Sequence, residues 1–392
     1  MKNKRLCLVF LFVSIVLCLS VLQPLQELNG MSGGFFVAEE DVDIANKHNT
    51  FGRFVKTELV EKERSVADQM MKEGEVVFKL FGFIPIKKID VVVDNNDDYF
   101  VGGVPVGISI NSEGVFVLSQ EECLQKCLKE GDLITEIDGN KVSNLQETSN
   151  LLQSIEGEDV EIKFVRKNKE IKTLAKVLLD EQTGRKKLGL WVKDDVSGVG
   201  TLTFVNKDTL EYGALGHPIV ETAGGNVVPV ANGKIYECSL IGINKGKRND
   251  PGELKCVFVP TKNAKGEIVS NDKFGIKGVL NDVTNLVDCN KIAKLGGRLG
   301  VKMGDAKIVS SVSGIREEYD IEIIKANYQK SADDKSIVFR VKDKRLLQLT
   351  GGIVQGMSGS PILQDGKIIG AVTHVFMSDP TKGYGVYTDF ML

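Results

Sequence analysis

Gly351-Gly-Ile-Val-Gln-Gly-Met-Ser-Gly-Ser-Pro361 is the stretch on which the reading of this chain turns. Glycines crowd one serine, Ser358, and a second apolar run follows at Ile368 to Val375. The pattern predicts a tight turn between strands. A serine on such a turn can expose its hydroxyl to a substrate, while glycines leave neighbouring backbone N–H groups free to face a developing oxyanion. Taken alone, the same letters also describe a hairpin that happens to contain serine.

A serine hydroxyl needs a base to become nucleophilic at neutral pH, and histidine has a suitable pKa. The chain has histidines at 48, 217 and 374. His217 lies in Glu211-Tyr-Gly-Ala-Leu-Gly-His-Pro-Ile219, where Gly213 and Gly216 flank an apolar pair and Pro218 fixes the backbone after the ring. It is the natural base, and a histidine bonded inside a barrel is the bland alternative. The third member should be a carboxylate that fixes the imidazole tautomer. Composition does not choose among Asp194, Asp195, Asp208, Asp282, Asp288, Asp305 and Asp343. Asp343 preserves the order His, Asp, Ser found in chymotrypsin-like peptidases, although it lies only 15 residues before Ser358.

Around the nucleophile, the N–H groups of Gly356 and Ser358 would form the oxyanion hole, with Gly359 giving clearance. Ser360, before Pro361, reads as turn chemistry. The strand Ile369 to Val375 carries Thr373 and His374, where a chymotrypsin-like fold builds the wall of its primary specificity pocket; for His374 a solvated strand end fits equally. Between the linker Glu181 to Lys187 and this turn, short apolar runs are separated by Gly, Asn and Asp. That spacing predicts a pair of small β-barrels over 189–392, with a possible helix at Val283 to Leu295.

Upstream, Gly102-Gly-Val-Pro-Val-Gly-Ile108 leads into strands at Ile108 to Ile110 and Gly114 to Leu118. A short helix, Glu121 to Lys129, precedes Glu130-Gly-Asp-Leu-Ile-Thr-Glu-Ile-Asp-Gly139, whose apolar spacing closes a strand on an Asp-Gly turn. A helix at Gln146 to Ser154 and a strand at Val160 to Arg166 follow. This order resembles a PDZ domain, expected over 98–180. The resemblance implies that Val104, Pro105, Val106, Gly107 and Ile108 form the loop receiving a peptide C-terminus, with Ser109 and Ile110 beginning the edge strand.

At the N-terminus, Lys2, Lys4 and Arg5 precede an uncharged run from Leu6 to Leu22, so 1–22 reads as a signal anchor with everything downstream translocated. No Ala-x-Ala cleavage site follows it. Residues 23–97 read as a polar stem ending in a small β element between Glu75 and Val93. A net charge of -3 argues against a nucleic-acid partner. The seven cysteines show neither metal-like spacing nor a disulfide framework, and no cofactor or metal is expected.

Together the motifs resemble one family. The basic-flanked segment, Lys79-Leu-Phe-Gly-Phe-Ile-Pro-Ile86, the PDZ module, Leu190-Trp-Val192, Ser197-Gly-Val-Gly-Thr-Leu-Thr-Phe204, Ala214-Leu-Gly-His-Pro-Ile219 and Gln355-Gly-Met-Ser-Gly-Ser-Pro-Ile362 occur in this order in the stage IV sporulation protein B serine peptidases of endospore-forming bacteria. The resemblance implies a mainly β protein: an N-terminal membrane segment, an α+β PDZ domain, then a chymotrypsin-like double β-barrel peptidase domain. It implies a triad of His217, Asp343 and Ser358, with Thr373 near the active site. It also implies a membrane-tethered, extracytoplasmic enzyme between forespore and mother cell. That enzyme would cut a membrane protein that restrains an intramembrane metalloprotease, so releasing a late sigma factor. Self-cleavage and self-association through the PDZ domain belong to the same expectation. The alternatives are a catalytically silent PDZ adaptor and an envelope quality-control protease of the HtrA type. HtrA enzymes place the PDZ domain after the catalytic domain and carry Asn-Ser-Gly-Gly where this chain has Met-Ser-Gly-Ser.

Overall fold

Short β-branched runs punctuated by turn residues make most of the regular structure among the described residues β-strand. The computed structural model describes residues 28, 31 and 33–392, except 62–71, 94–96, 121–124, 126, 223, 261–263 and 327–332. The predicted membrane segment lies outside these residues, as does most of the short helix expected from Glu121. Among the described residues no helix is long and apolar enough to cross a membrane.

The segment read as a stem is a folded unit. β1 (Phe35–Val37), α1 (Glu39–Lys47), β2 (Val55–Glu61), β3 (Lys72–Leu80) and β4 (Ile84–Val93) form a sheet of order β1-β4-β3-β2 with α1 packed beside it. Its core takes Phe35, Val37, Val42, Ala45, Phe51, Val76, Phe78, Ile89 and Val91, with Leu299 contributed from far along the chain. Docking is partly ionic. The Arg298 guanidinium lies 4.4 Å from the Phe35 ring and 4.3 Å from that of Phe390, and pairs with buried Asp389 at 2.6 Å. Asp41 accepts hydrogen bonds from the N–H groups of Ala38 and Gly297.

The next strands decide the architecture. β5 (Tyr99–Val101) and β6 (Pro105–Gln120) were expected to open the PDZ module, but the first half of β6 belongs to a barrel. β6 continues through Gly114 (φ +150°) into β7 (Leu133–Ile137), β8 (Asn140–Lys141), α2 (Leu145–Ser154), β9 (Asp159–Arg166), β10 (Lys169–Lys176), β11 (Leu178–Leu179) and β12 (Lys186–Lys187). This lobe packs around Val115, Val117, Ile134, Ile137, Leu152, Val160, Ile162 and Phe164. At the start of α2, Asn144 accepts from the N–H of Glu147 while Glu147 accepts from that of Ser143, a reciprocal cap.

The chain returns through β13 (Leu190–Asn206), then β14 (Glu211–Leu215), β15 (Val230–Glu237), the hairpin β16 (Ser239–Asn244) and β17 (Glu253–Val257), β18 (Ala264–Asp272), β19 (Gly275–Leu280) and β20 (Ile292–Ala293). β6-β15-β18-β19-β14-β13 run side by side, and pairing of β6 with β13 closes the ring. Val106, Ile108, Ile110, Leu202, Ala214, Ile235, Ile268 and Ile276 share its core. Residues 283–291 form turns, so the helix expected at Val283 to Leu295 is absent. A second closed barrel follows, built from β21 (Gly304–Ser310), β22 (Glu317–Ala326), β23 (Ile337–Val341), β24 (Pro361–Gln364), β25 (Lys367–Val375) and β26 (Lys382–Tyr387). The helix α3 (Lys344–Thr350) and the serine turn lie between β23 and β24.

Two expectations about the PDZ module therefore need correction. Residues 105–111 pair with β13 on one side and β15 on the other, so neither edge is free for a peptide. Val104 to Ile108 cannot be the peptide loop: Val106 and Ile108 are buried, and a Cβ on Gly107 would lie 2.1 Å from the Phe258 ring. The lobe is an insertion into the first barrel rather than a domain ahead of it.

Candidate active site

His217 reaches the barrel interface through two consecutive left-handed residues, Leu215 (φ +72°) and Gly216 (φ +73°). The turn is tightened by the Gly216 N–H donating to Ala214 O at 3.0 Å. A Cβ on Gly216 would sit 3.0 Å from Thr373 Cγ2, so the missing side chain lets this segment approach β25 of the second barrel.

Ser358 is held by the first barrel although it belongs to the second. The Thr201 N–H donates to Ser358 O at 2.9 Å, Thr201 Oγ1 to Gly356 O at 2.7 Å, and Thr203 Oγ1 to Gly359 O at 2.7 Å. Gly359 (φ +98°) comes so close that a Cβ would lie 2.0 Å from Thr201 O. Thr201 and Thr203, both buried, were not singled out from sequence. Their signal was two hydroxyls spaced by two on one strand face within an apolar run, which bury well only with acceptors to meet.

Among the described residues the N–H groups of Gly356 (φ +92°) and Ser358 donate to no acceptor, whereas those of Met357, Gly359 and Ser360 are all engaged. Two free donors on alternate residues of a glycine turn are what an oxyanion requires. Ser358 Oγ donates to Thr373 O at 2.8 Å. His217 Nδ1 lies 3.0 Å from Pro218 O, and since a carbonyl only accepts, this nitrogen carries the proton. The tautomer leaves Nε2 as the basic nitrogen. Burial lowers the His217 pKa, opposed by the Pro218 bond, so the ring is neutral at physiological pH.

Thr373 is buried and touches the Ser358 hydroxyl through its carbonyl. His374 stands beside His217, ring centroids 5.2 Å apart. Asp343, expected as the acid, is elsewhere. It caps α3 by accepting from the N–H groups of Arg345 and Leu346, and pairs with Arg345 at 2.9 Å. Asp343 follows β23, whose N-terminal end lies nearest Thr373; a five-residue strand spans about 13 Å. The acid that does approach is Asp334, just before β23: its carbonyl accepts from Thr373 Oγ1 at 2.7 Å, and its Oδ2 lies 3.7 Å from His374 Nδ1.

Among the described residues, one of the strand edges in the PDZ lobe without a pairing strand faces α2. Residues 190–196 of β13 pair with β6 on one side, and on the other Asp194 Oδ2 accepts from the N–H of Leu145 at the start of α2. Just before this edge, Leu188-Gly189-Leu190 turns at Gly189 (φ +65°), and among the described residues the N–H groups of Leu188 and Gly189 donate to no acceptor.

A glycine-turn serine, a neutral imidazole delivered from the facing barrel and a pair of free N–H donors make the class of this protein a serine peptidase. The chain belongs to the SpoIVB peptidase S55 family, whose model matches residues 184–392, and a PDZ domain model matches residues 125–166. The first-barrel strands before the lobe lie outside the peptidase match. Among solved structures, the PDZ domain of an SdrC-like protein from Listeria monocytogenes is 30% identical, covering 21% of this chain and 90% of its own, with a TM-score of 0.20. That of an SdrC-like protein from Listeria innocua is 35% identical, covering 20% and 92%, with a TM-score of 0.19. No curated protein matches the chain.

Proposed function

We propose that this protein is a membrane-tethered endopeptidase of narrow specificity that signals between forespore and mother cell. Its substrate would be the exposed part of a membrane protein that restrains an intramembrane metalloprotease, and the cut would release a late sigma factor. Family membership and the basic-flanked apolar segment at residues 1–22 support this reading. The observation that carries it is the placement of β13. One strand presents an unpaired edge of the PDZ lobe from Leu190 and, further on, holds the nucleophile turn through Thr201 and Thr203. A peptide added along residues 190–196, its carboxylate at the N–H groups of Leu188 and Gly189, would couple recognition to catalysis. Another copy of this chain is one candidate for that peptide.

The test is cleavage of a membrane-protein ectodomain, and of the protein itself, by the full chain and by its Ser358→Ala and His217→Ala variants. Both variants should fold and neither should cut. Retained cleavage by Ser358→Ala would overturn the reading, and broad digestion of unfolded proteins would favour a quality-control protease instead.

A further inference from the structure

Among the described residues, no carboxylate hydrogen-bonds to the base of this peptidase. His217 Nδ1 is taken up by the Pro218 carbonyl, and Asp343 lies beyond the far end of β23. Yet a base that accepts the Ser358 proton becomes an imidazolium in a site buried enough to resist that charge, and an unbalanced cation there raises the barrier.

The nearest compensation comes from the other side of the ring. His374 faces His217 at 5.2 Å with the planes tilted by 42°, and its buried Nδ1 makes no hydrogen bond. The Asp334 Oδ2 lies 3.7 Å from that nitrogen. Asp334 is also tied to the nucleophile's own support. Thr373 Oγ1 donates to the Asp334 carbonyl, while the Thr373 carbonyl receives the Ser358 hydroxyl. Ser358, His217, His374 and Asp334 therefore gather around one buried threonine.

We propose that Asp334, acting through His374, is the acidic arm of the catalytic unit, and that Asp343 has no part in it. His217 Nε2 takes the Ser358 Oγ proton as the bond from Oγ to the substrate carbonyl carbon forms. The Asp334 charge then balances the imidazolium across the His374 ring. The positive charge vanishes when Nε2 returns the proton to the leaving amine, and Asp334 keeps its own charge throughout. Both are positioning residues, a role different from the pocket wall expected of His374.

The groups around the pair fit this assignment. Burial, with the hydrogen bond that the protonated carboxyl donates to Asp333, raises the Asp334 pKa to about 6. Burial, with His217 and Lys335 nearby, lowers that of His374 to about 4. Asp333 opposes the shift of His374 and itself faces Lys273. At neutral pH this leaves an ionised carboxylate against a neutral ring.

The experiment is the rate of fluorophosphonate labelling of Ser358 in the full chain between pH 5 and 9, with thermal melting of each variant alongside. Asp334→Asn and His374→Gln should each slow labelling by about tenfold or more and displace the acid limb of the profile. Asp334→Glu should restore part of the rate, and Asp343→Asn should keep the wild-type profile. The proposal is overturned if Asp334→Asn and His374→Gln label like wild type. It is equally overturned if Asp343→Asn abolishes labelling with an unchanged melting temperature. Should Asp334→Asn fail to fold, His374→Gln and Asp334→Glu carry the test. An unlabelled wild-type protein would instead count against the nucleophile itself, and so is a distinguishable result.

Discussion

Ser358 donates its hydroxyl proton to the carbonyl of Thr373, at 2.8 Å. A donor committed to that carbonyl is not donating to His217, so attack requires the side chain to rotate and surrender a bond worth about 0.5–1.5 kcal/mol. A thiol donates weakly and would be released from this hold. Ser358→Cys should therefore be alkylated with a pH midpoint below the ~8.5 of an ordinary thiol, because His217 stabilises the thiolate. Adding His217→Ala should return the midpoint to ~8.5. Equal midpoints in the two proteins would mean that serine and histidine do not communicate.

Burial holds the His217 pKa below its usual value, so the ring stays neutral to lower pH than a free histidine. The acid limb of kcat/KM for a cleaved peptide should accordingly fall below the ordinary histidine value of about 6.5. The folded state binds this proton less readily than the unfolded chain, so the same group subtracts stability as pH falls. A limb at or above 6.5 would contradict the assignment of His217 as base.

Asp343 supports the fold through the N-terminus of α3. Asp343→Ala should lower stability by about 1 kcal/mol, the usual worth of such a cap, whereas Asp343→Asn should cost less because asparagine also caps. Thermal melting measures the difference. Asp343→Ala melting like wild type would show that the cap carries no weight.

Gly359 separates sterics from backbone conformation. A Cβ there meets Thr201 O at 2.0 Å on a backbone with φ +98°, whereas Gly366 (φ +80°) has open space around it. Gly366→Ala should cost only the left-handed penalty of about 1–2 kcal/mol. Gly359→Ala should cost more and abolish labelling of Ser358. Equal melting temperatures would mean that the serine turn is not seated against β13.

Asp41 gives the protein a pH-dependent joint between its N-terminal unit and the barrels. Burial, offset partly by Lys367, raises its pKa to about 6. The folded state therefore holds this proton more tightly than the unfolded chain, and stability falls as pH rises from about 4 to 6, by roughly 3 kcal/mol. Asp41→Asn should flatten the melting temperature over that window. An undiminished slope would place the titration elsewhere.

The local chemistry of the site was legible because it is written in short, rigid words. Gly-Met-Ser-Gly-Ser-Pro specifies its own turn, and Leu-Gly-His-Pro its own exit from a strand. Partnership between distant segments was not legible. Ile108-Ser-Ile110 alternates equally well as a PDZ edge or a barrel strand, and only its pairing with β15 and β13 separates the two. Asp343 was favoured by chain order, yet order does not measure which end of β23 a carboxylate occupies. Asp334 sits in a polar run that reads as loop, and its closeness to His374 depends on the barrel closing. The N-terminal unit read as a stem because part of its core, Leu299, comes from over 200 residues away.

Ser112 and Asp194 meet where the inserted lobe leaves and rejoins the first barrel, Ser112 Oγ donating to Asp194 O at 3.2 Å. Deleting 98–180 as a cassette would tear a wall strand out of the host barrel along with the guest. Even an excision limited to 113–193 would cost the host: Phe116 and Leu133 belong to the first barrel's core, and Asn226 bonds the lobe at Lys167 and Gly131, so barrel and guest are built around shared side chains.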